Sequence, residues 1–325
     1  MTNNPYVIDW SDIAFGDKSH IRSLKAAFVA APRHVSSERL KQLIKEYLPQ
    51  GNVVIGLSKE PYIDGFEGQA QFKALAVEDI KPLADKVNAS SSRSKLYILS
   101  YFQRETDTVI DKLRFKRVVL VRGSWHYAFH NRATYYSLAS KAIPYDMVSP
   151  FADEDEAQHY ARNVAKIIAL PPLDSQHKLN ENDMLELADK AARQSFDYSF
   201  QVGVAIGRPT KSDTYQPLLF DHNRVVPYET YAMHHGASRE VNFSPPNDLN
   251  HYDAVHAEMH AIIQAQQQEI NLRDTTMFIN VMPCPTCARA LSLTDIAELV
   301  YREDHSAGYA VRLLEQSGKK VRRLV

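Results

Sequence analysis

Thr276-Met-Phe-Ile-Asn-Val281, followed by Met282 and then Pro283-Cys284-Pro285-Thr286-Cys287, is a strand running into a helix that opens on two cysteines. The first run is of strand length and rich in β-branched and aromatic residues. The segment after it starts an amphipathic pattern that predicts a helix over 284–293. Working outward, a second helix is expected over 255–267, and it too begins at residues with metal and proton chemistry, His256-Ala257-Glu258. Two helix N-termini can therefore point at one spot. Further elements flank this pair: a helix over 182–194, a strand over 201–207, a second strand within 225–233, a strand over 298–302, a helix over 309–316 and a last strand over 320–324.

Toward the N-terminus, Pro171-Pro172 cannot continue a helix, because neither proline has a backbone N–H and each holds its predecessor extended. A domain boundary is placed there, dividing the chain into 1–172 and 173–325. The first part alternates candidate strands at 52–57, 95–101, 117–121 and 145–148 with helical patterns at 37–47, 72–87, 132–141 and 153–169. Apolar strands separated by helices predict a parallel sheet covered on both faces, a Rossmann-like α/β domain in the loose sense. No internal repeat or low-complexity tract interrupts the chain.

With 325 residues, 44% hydrophobic and 24% charged, the chain has the composition of an ordinary globular protein and enough length for two cores. Disordered and fibrous classes are excluded. The start, MTNNPYVIDW, lacks a basic-then-apolar layout, and no apolar run approaches bilayer length, so no membrane association and a cytoplasmic location are expected. A net charge of −1 gives no global attraction to nucleic acid, which disfavours a polynucleotide partner without removing a local basic groove.

The chain's two cysteines are Cys284 and Cys287. A structural disulfide ties distant segments, whereas a close pair points to metal or redox chemistry. Alone, the pair is equally a redox couple or half of a structural zinc knot, and a lone histidine is commonly a core or surface residue. Together with His256 the pair becomes two thiolates and an imidazole, which suit Zn²⁺ and leave a fourth position for water. A structural knot would fill that position with protein and have no use for Glu258. A bound metal makes hydroxide available near neutral pH. Adding hydroxide to an amidine-like carbon, such as cytosine C4, needs a proton at the ring nitrogen and later one for the amine, and Glu258 can carry both. His256 and His260 stand four apart as in a metalloprotease helix, but that motif needs Glu directly after the first His, where this chain has Ala257.

His-x-Glu followed by Pro-Cys-x-x-Cys is the known pattern of the zinc deaminases of nucleobases, and residues from about 180 to 325 resemble the cytidine and deoxycytidylate deaminase superfamily. His256-Ala-Glu-Met-His-Ala-Ile262 is similar to the family's His-Ala-Glu-Met-Asn-Ala-Ile, with His260 in place of Asn. His235-Gly-Ala-Ser-Arg239 resembles a degraded Asn-Gly-x-Pro-Arg substrate loop, and Tyr301–Asp304 with Ala310–Gly318 resembles the closing strand and helix. The resemblance implies a cytidine-deaminase-like α/β/α sandwich, Zn²⁺ as cofactor, Glu258 as the catalytic residue, and a small-molecule nucleotide substrate of deoxycytidylate type. It also implies a homo-oligomer. His235, Arg239 and His260 become candidate substrate contacts, although Arg239 reads equally as a solvated surface arginine and His235 as a strand residue. The turn-rich segment 242–253 is expected at the mouth of the pocket.

Residues 1–170 carry neither a Gly-x-x-x-x-Gly-Lys-Ser/Thr loop nor a Gly-x-Gly-x-x-Gly fingerprint. Arg122-Gly-Ser-Trp-His-Tyr-Ala-Phe-His-Asn-Arg132 follows a strand, where open parallel sheets bind ligands. Its plainer reading is packing by Trp125 and Phe129, with Arg122 and His126 satisfying local carbonyls. Two rivals accompany the nucleotide deaminase. One is a deaminase of RNA or single-stranded DNA using the N-terminal half as a platform, and the other is a non-catalytic subunit that keeps the zinc fold.

Overall fold

In the computed structural model, which describes residues 4–14, 25–125, 128–174, 177–245, 248, 250–304 and 308–325, the β-branched runs of the N-terminal half pair into one all-parallel sheet. Its strands are β1 (Val7–Asp9), β2 (Ala27–Ala30), β3 (Val53–Ser58), β4 (Leu96–Tyr101), β5 (Arg117–Val121) and β6 (Tyr145–Val148), in the order β1-β4-β3-β2-β5-β6. The helices are α1 (Trp10–Ala14), α2 (Ser37–Tyr47), α3 (Val77–Asn88), α4 (Thr106–Leu113), α5 (Ala133–Ser140) and α6 (Glu154–Ile168). Alternation along each strand sends side chains to opposite faces. Val29, Ile55, Ile98 and Val119 pack with Leu43 and Ile44 of α2 and Ile80 of α3, while Phe28, Val54, Leu99 and Leu120 pack with Ile110 of α4 and Leu138 of α5. Two cores on one sheet are the doubly covered arrangement expected from the continuous apolar strands.

The sheet departs from the sequence reading in its middle. β2 was not expected, because Ala27-Phe-Val-Ala30 has little strand propensity of its own, yet it is the strand paired to β3 on one side and β5 on the other. Its conformation is imposed by two neighbours rather than by its side chains. The chain runs from β2 outward through β3 and β4, then returns to the other side of β2 for β5 and β6. The strand order therefore reverses between β2 and β5.

The rest of the chain builds a second sheet, β13-β12-β11-β7-β8. Its elements are α7 (Glu181–Ala192), β7 (Gly203–Pro209), β8 (Tyr215–His222), β9 (Arg224–Val225), α8 (Tyr231–His235), α9 (Ser238–Val241), β10 (Ala254–Val255), α10 (Ala257–Gln267), β11 (Thr276–Val281), α11 (Pro285–Ser292), β12 (Glu298–Glu303), α12 (Tyr309–Gln316) and β13 (Lys320–Arg323). β7 pairs antiparallel with β8 and β11, whereas β11, β12 and β13 run parallel. α7 covers one face through Met184, Leu185 and Ala188 against Ala205, Phe278 and Val300. α10, α11 and α12 cover the other, with Ala257, Ala261, Ala288, Leu291, Ala310 and Leu314 against Val204, Ile206, Met277, Ile279 and Leu299. This is an α/β/α sandwich.

The second strand of this sheet lies at Tyr215–His222 rather than within 225–233, and residues 231–235 are helical. Thr210 N donates to Thr214 O and closes the β7–β8 turn. Lys211-Ser212-Asp213, with Asp213 at φ 50, forms the turn that precedes β8, a signal the sequence reading did not use. The compact units also differ from a single cut at 172. They comprise Met1–Val164 with Thr230–Tyr252, and Ala165–Glu229 with Asp253–Val325. Among the described residues no helix is long and apolar enough to cross a membrane.

Candidate active site

Both motifs sit at helix N-termini. His256 is the N-cap of α10, with extended backbone at φ −63, ψ 147, and Cys284 is the N-cap of α11, with Pro285 in the first turn. Pro285 fits there because the first helical N–H has no intrahelical acceptor to lose. Cys284 Sγ accepts from Cys287 N at 3.4 Å, so the thiol that caps the helix also faces the second thiol. β11 delivers Cys284 and β10 delivers His256, each strand ending within three residues of its ligand.

His256 Nδ1 lies 3.5 Å from Cys284 Sγ and 3.3 Å from Cys287 Sγ, and the three donor atoms all fall within 4.8 Å of one another. A tetrahedral zinc with ordinary Zn–S and Zn–N bonds sets an N···S separation of about 3.6 Å. The donor set and its spacing therefore fit the ion. The Cys287 thiol donates to Cys284 and holds it as a thiolate, at about 3, with His256 adding to the effect. The same shared proton, and burial, push Cys287 up. His256 is raised by its hydrogen bond to Cys284. Two thiols and an imidazole at these distances are a group that could hold a metal ion.

Glu258 occupies the second helical position of α10 and is 3% exposed. Burial pushes its carboxyl up from the ordinary value, against the opposing pull of its own backbone N–H and of His256. Its carboxyl interacts electrostatically with His256, Cys284 and Cys287, so it lies beside the three donors. A buried carboxyl raised from its ordinary value can hold a proton and release it, as a general acid and base must.

The three candidate substrate contacts belong to two different units. His260, one turn after His256, directs Nδ1 at Asp221 Oδ2 over 2.5 Å in the second unit. Asp221 is 3% exposed and also lies 3.7 Å from Arg224 Nε. His235 and Arg239 belong to the segment 230–252 of the first unit. His235 ends α8, exposed, with its ring against Tyr231. Arg239 ties its own loop, donating through Nε to His251 O and through Nη2 to Asp248 O, with its guanidinium 5.0 Å from the Tyr252 ring. Asp221 and the nearby Glu229 were missed from sequence because β8 was misplaced. His126 lies outside the described residues.

Residues 179–303 match the sequence profile of the cytidine and deoxycytidylate deaminase zinc-binding region. Over 51 residues the chain is 37% identical to the deoxycytidylate deaminases of Enterobacteria phages T2 and T4, a match that covers 16% of this chain and 27% and 26% of those proteins. The chain thus spans about a quarter of the length of the curated relatives it matches. Among solved structures, the dCMP deaminase of cyanophage S-TIM5 in complex with dCMP and dUMP matches at 15% identity over 44% of this chain and 96% of that one, with a TM-score of 0.33. A guanine deaminase from Nitrosomonas europaea matches at 16% identity over 48% of this chain and 86% of that one, with a TM-score of 0.28.

Proposed function

We propose that this protein hydrolyses the exocyclic amine of a cytosine nucleotide of deoxycytidylate type and releases ammonia, a reading supported by the match of residues 179–303 to the cytidine and deoxycytidylate deaminase zinc-binding region. The observation that carries the reading is the meeting of three donors at tetrahedral spacing with a buried carboxyl beside them. His256, Cys284 and Cys287 would hold Zn²⁺, which when bound supplies Lewis acidity that readies a water for attack near neutral pH. Glu258 takes a proton from the incoming water, delivers it to the ring nitrogen, and carries a second to the departing amine, so the carboxylate is regenerated in each cycle. Burial raises the Glu258 carboxyl from its ordinary value and so strengthens its hold on the proton it transfers.

The test is ammonia release by the zinc-loaded protein from cytosine and adenine nucleosides, their mono- and triphosphates, and short single strands. The Glu258→Gln variant should retain its zinc and lose at least about 10²-fold in turnover. A Gln variant with near-normal turnover would sink the assignment of Glu258. Release confined to single strands would move the substrate from a nucleotide to a polynucleotide. The homo-oligomer that the family resemblance implies is part of the same proposal and is read by sedimentation.

A further inference from the structure

β8 runs antiparallel to β7, and β7 runs antiparallel to β11, so β8 and β11 point the same way. Their C-terminal ends share one end of the second sheet, where β11 leads toward Cys284 and β8 closes on Asp221 and His222. Across the sheet, Asp221 and Ile279 stand on either side of Val204. His260 reaches Asp221 from α10, one turn and about 6 Å beyond His256 along the helix. Side chains on a helix lean toward its N-terminus, which carries this imidazole toward the turn that bears His256 and Glu258. The Asp221–His260 pair thus flanks the metal donors at the same end of the sheet.

An ionised carboxylate only accepts hydrogen bonds, so the contact between Asp221 Oδ2 and His260 Nδ1 places a ring proton on Nδ1. Oδ1 accepts from His222 N at 2.9 Å, which fixes the carboxylate at its other oxygen. The neutral ring then presents Nε2 as an acceptor. Nε2 makes no hydrogen bond among the described residues, and the His260 side chain is 15% exposed. The neighbours decide what suits that acceptor. Burial pushes Glu229 up to about 7 and His222 down to about 4, in both cases toward the uncharged form, and Arg224 stands 3.7 Å from Asp221 to balance its charge. Surroundings neutral in sum attract a phosphate little and leave a hydrogen-bond donor as the matching group. A cytosine nucleotide offers two kinds, the exocyclic amine, which departs at the reacting centre, and the sugar hydroxyls. Resting on the deaminase reading above, we propose that His260 Nε2 accepts a hydrogen bond from a sugar hydroxyl of the nucleotide, and that Asp221 is the positioning residue that keeps the ring in this form.

The test is the ratio of kcat/KM for dCMP to that for 2′,3′-dideoxycytidine monophosphate, measured on the whole zinc-loaded protein. The wild type should favour dCMP at least about tenfold, chiefly through KM. Asp221→Asn keeps the shape but frees the ring to carry its proton on Nε2, and His260→Leu removes the acceptor, so in both the ratio should fall toward one. A merely structural role would weaken both substrates alike and leave the ratio as in the wild type, and that result overturns the proposal. So does a variant that keeps the hydroxyl ratio but loses the preference for dCMP over deoxycytidine, since the pair would then read the phosphate. Calorimetric titration with dUMP and 2′,3′-dideoxyuridine monophosphate repeats the comparison without turnover. Hydroxyl-dependent binding that both substitutions abolish supports the proposal even if every deamination assay is silent, an outcome that sinks the deaminase reading alone. Absence of binding by any of these nucleotides to the wild type overturns both.

Discussion

Glu229 is a carboxylate kept from water in the second unit, close to Asp221, Arg224 and His260. Burial pushes its carboxyl up to about 7, against the pull of Arg224 and His260, and its Oε2 finds no hydrogen-bond partner among the described residues. A folded-state value above the unfolded one means that the native protein holds the proton more tightly. The stability this lends is complete below about pH 4.5 and is lost as pH rises through about 7. We predict that Glu229→Gln flattens the fall of urea stability across that window, the difference reaching on the order of 3 kcal/mol at most. His222, pushed down to about 4 by burial, slopes the other way, so the wild-type minus variant difference is the quantity to measure. Equal pH slopes in the two proteins would refute the assignment. Residues of this kind were not legible in the sequence, because Glu229 resembles any surface glutamate until β8 and α10 are folded around it. His256, Cys284, Cys287 and Glu258 were legible because the metal ligation and proton transfer proposed for them restrict residue type within short motifs.

Among elements, α7 is pressed against β7 at a glycine. A Cβ on Gly203 would fall 2.0 Å from Ala188 O and 2.4 Å from Ala192 N, both backbone atoms of a helix that cannot yield locally. At Gly207, on the same strand, the corresponding neighbour is the end of the flexible Met184 side chain at 2.9 Å. Gly203→Ala should therefore cost about 3 kcal/mol or more in chemical denaturation, and Gly207→Ala distinctly less. Equal losses would mean that α7 is not pressed on the sheet as described. The same logic of small residues governs α10, where Ala257, Ala261 and Ala265 bring the helix carrying Glu258 close to the strands. Most helices were read from sequence, since caps and the amphipathic period are local properties, whereas α1, α4, α8 and α9 were not. β2 and β8 were not, because pairing partners decided them: β2 is rich in alanine, and β8 carries a proline at 217 within its run.

At the scale of the whole molecule, the segment 230–252 leaves the second unit and packs with the first. Thr230 Oγ1 donates to Ala157 O, His130 Nε2 meets Ser244 O, and Ala232, Met233 and Ala237 are buried. The excursion starts and ends near one point, since β9 pairs with β10 and Val226 N donates to Asp253 O at 3.1 Å. A fragment 173–325 would expose that apolar side. We predict that this fragment aggregates, and that replacing 230–252 by a short Gly-Ser turn yields a soluble unit with one zinc and a cooperative thermal transition. Better behaviour from the unmodified fragment would contradict the division of the chain described above.

The sequence by itself determined the residues proposed as zinc ligands and proton carrier, the α/β class of both halves and most helices, all of which follow from short motifs and local patterns. Tertiary structure alone decided the pairing of His260 with Asp221, 39 residues away, and the meeting of Arg33 with Met233, 200 residues away. It also decided that the segment bearing His235 and Arg239 folds with the N-terminal sheet. Contacts at such separations depend on which strands pair and where strand order reverses, and no local pattern of hydrophobicity or spacing encodes that choice.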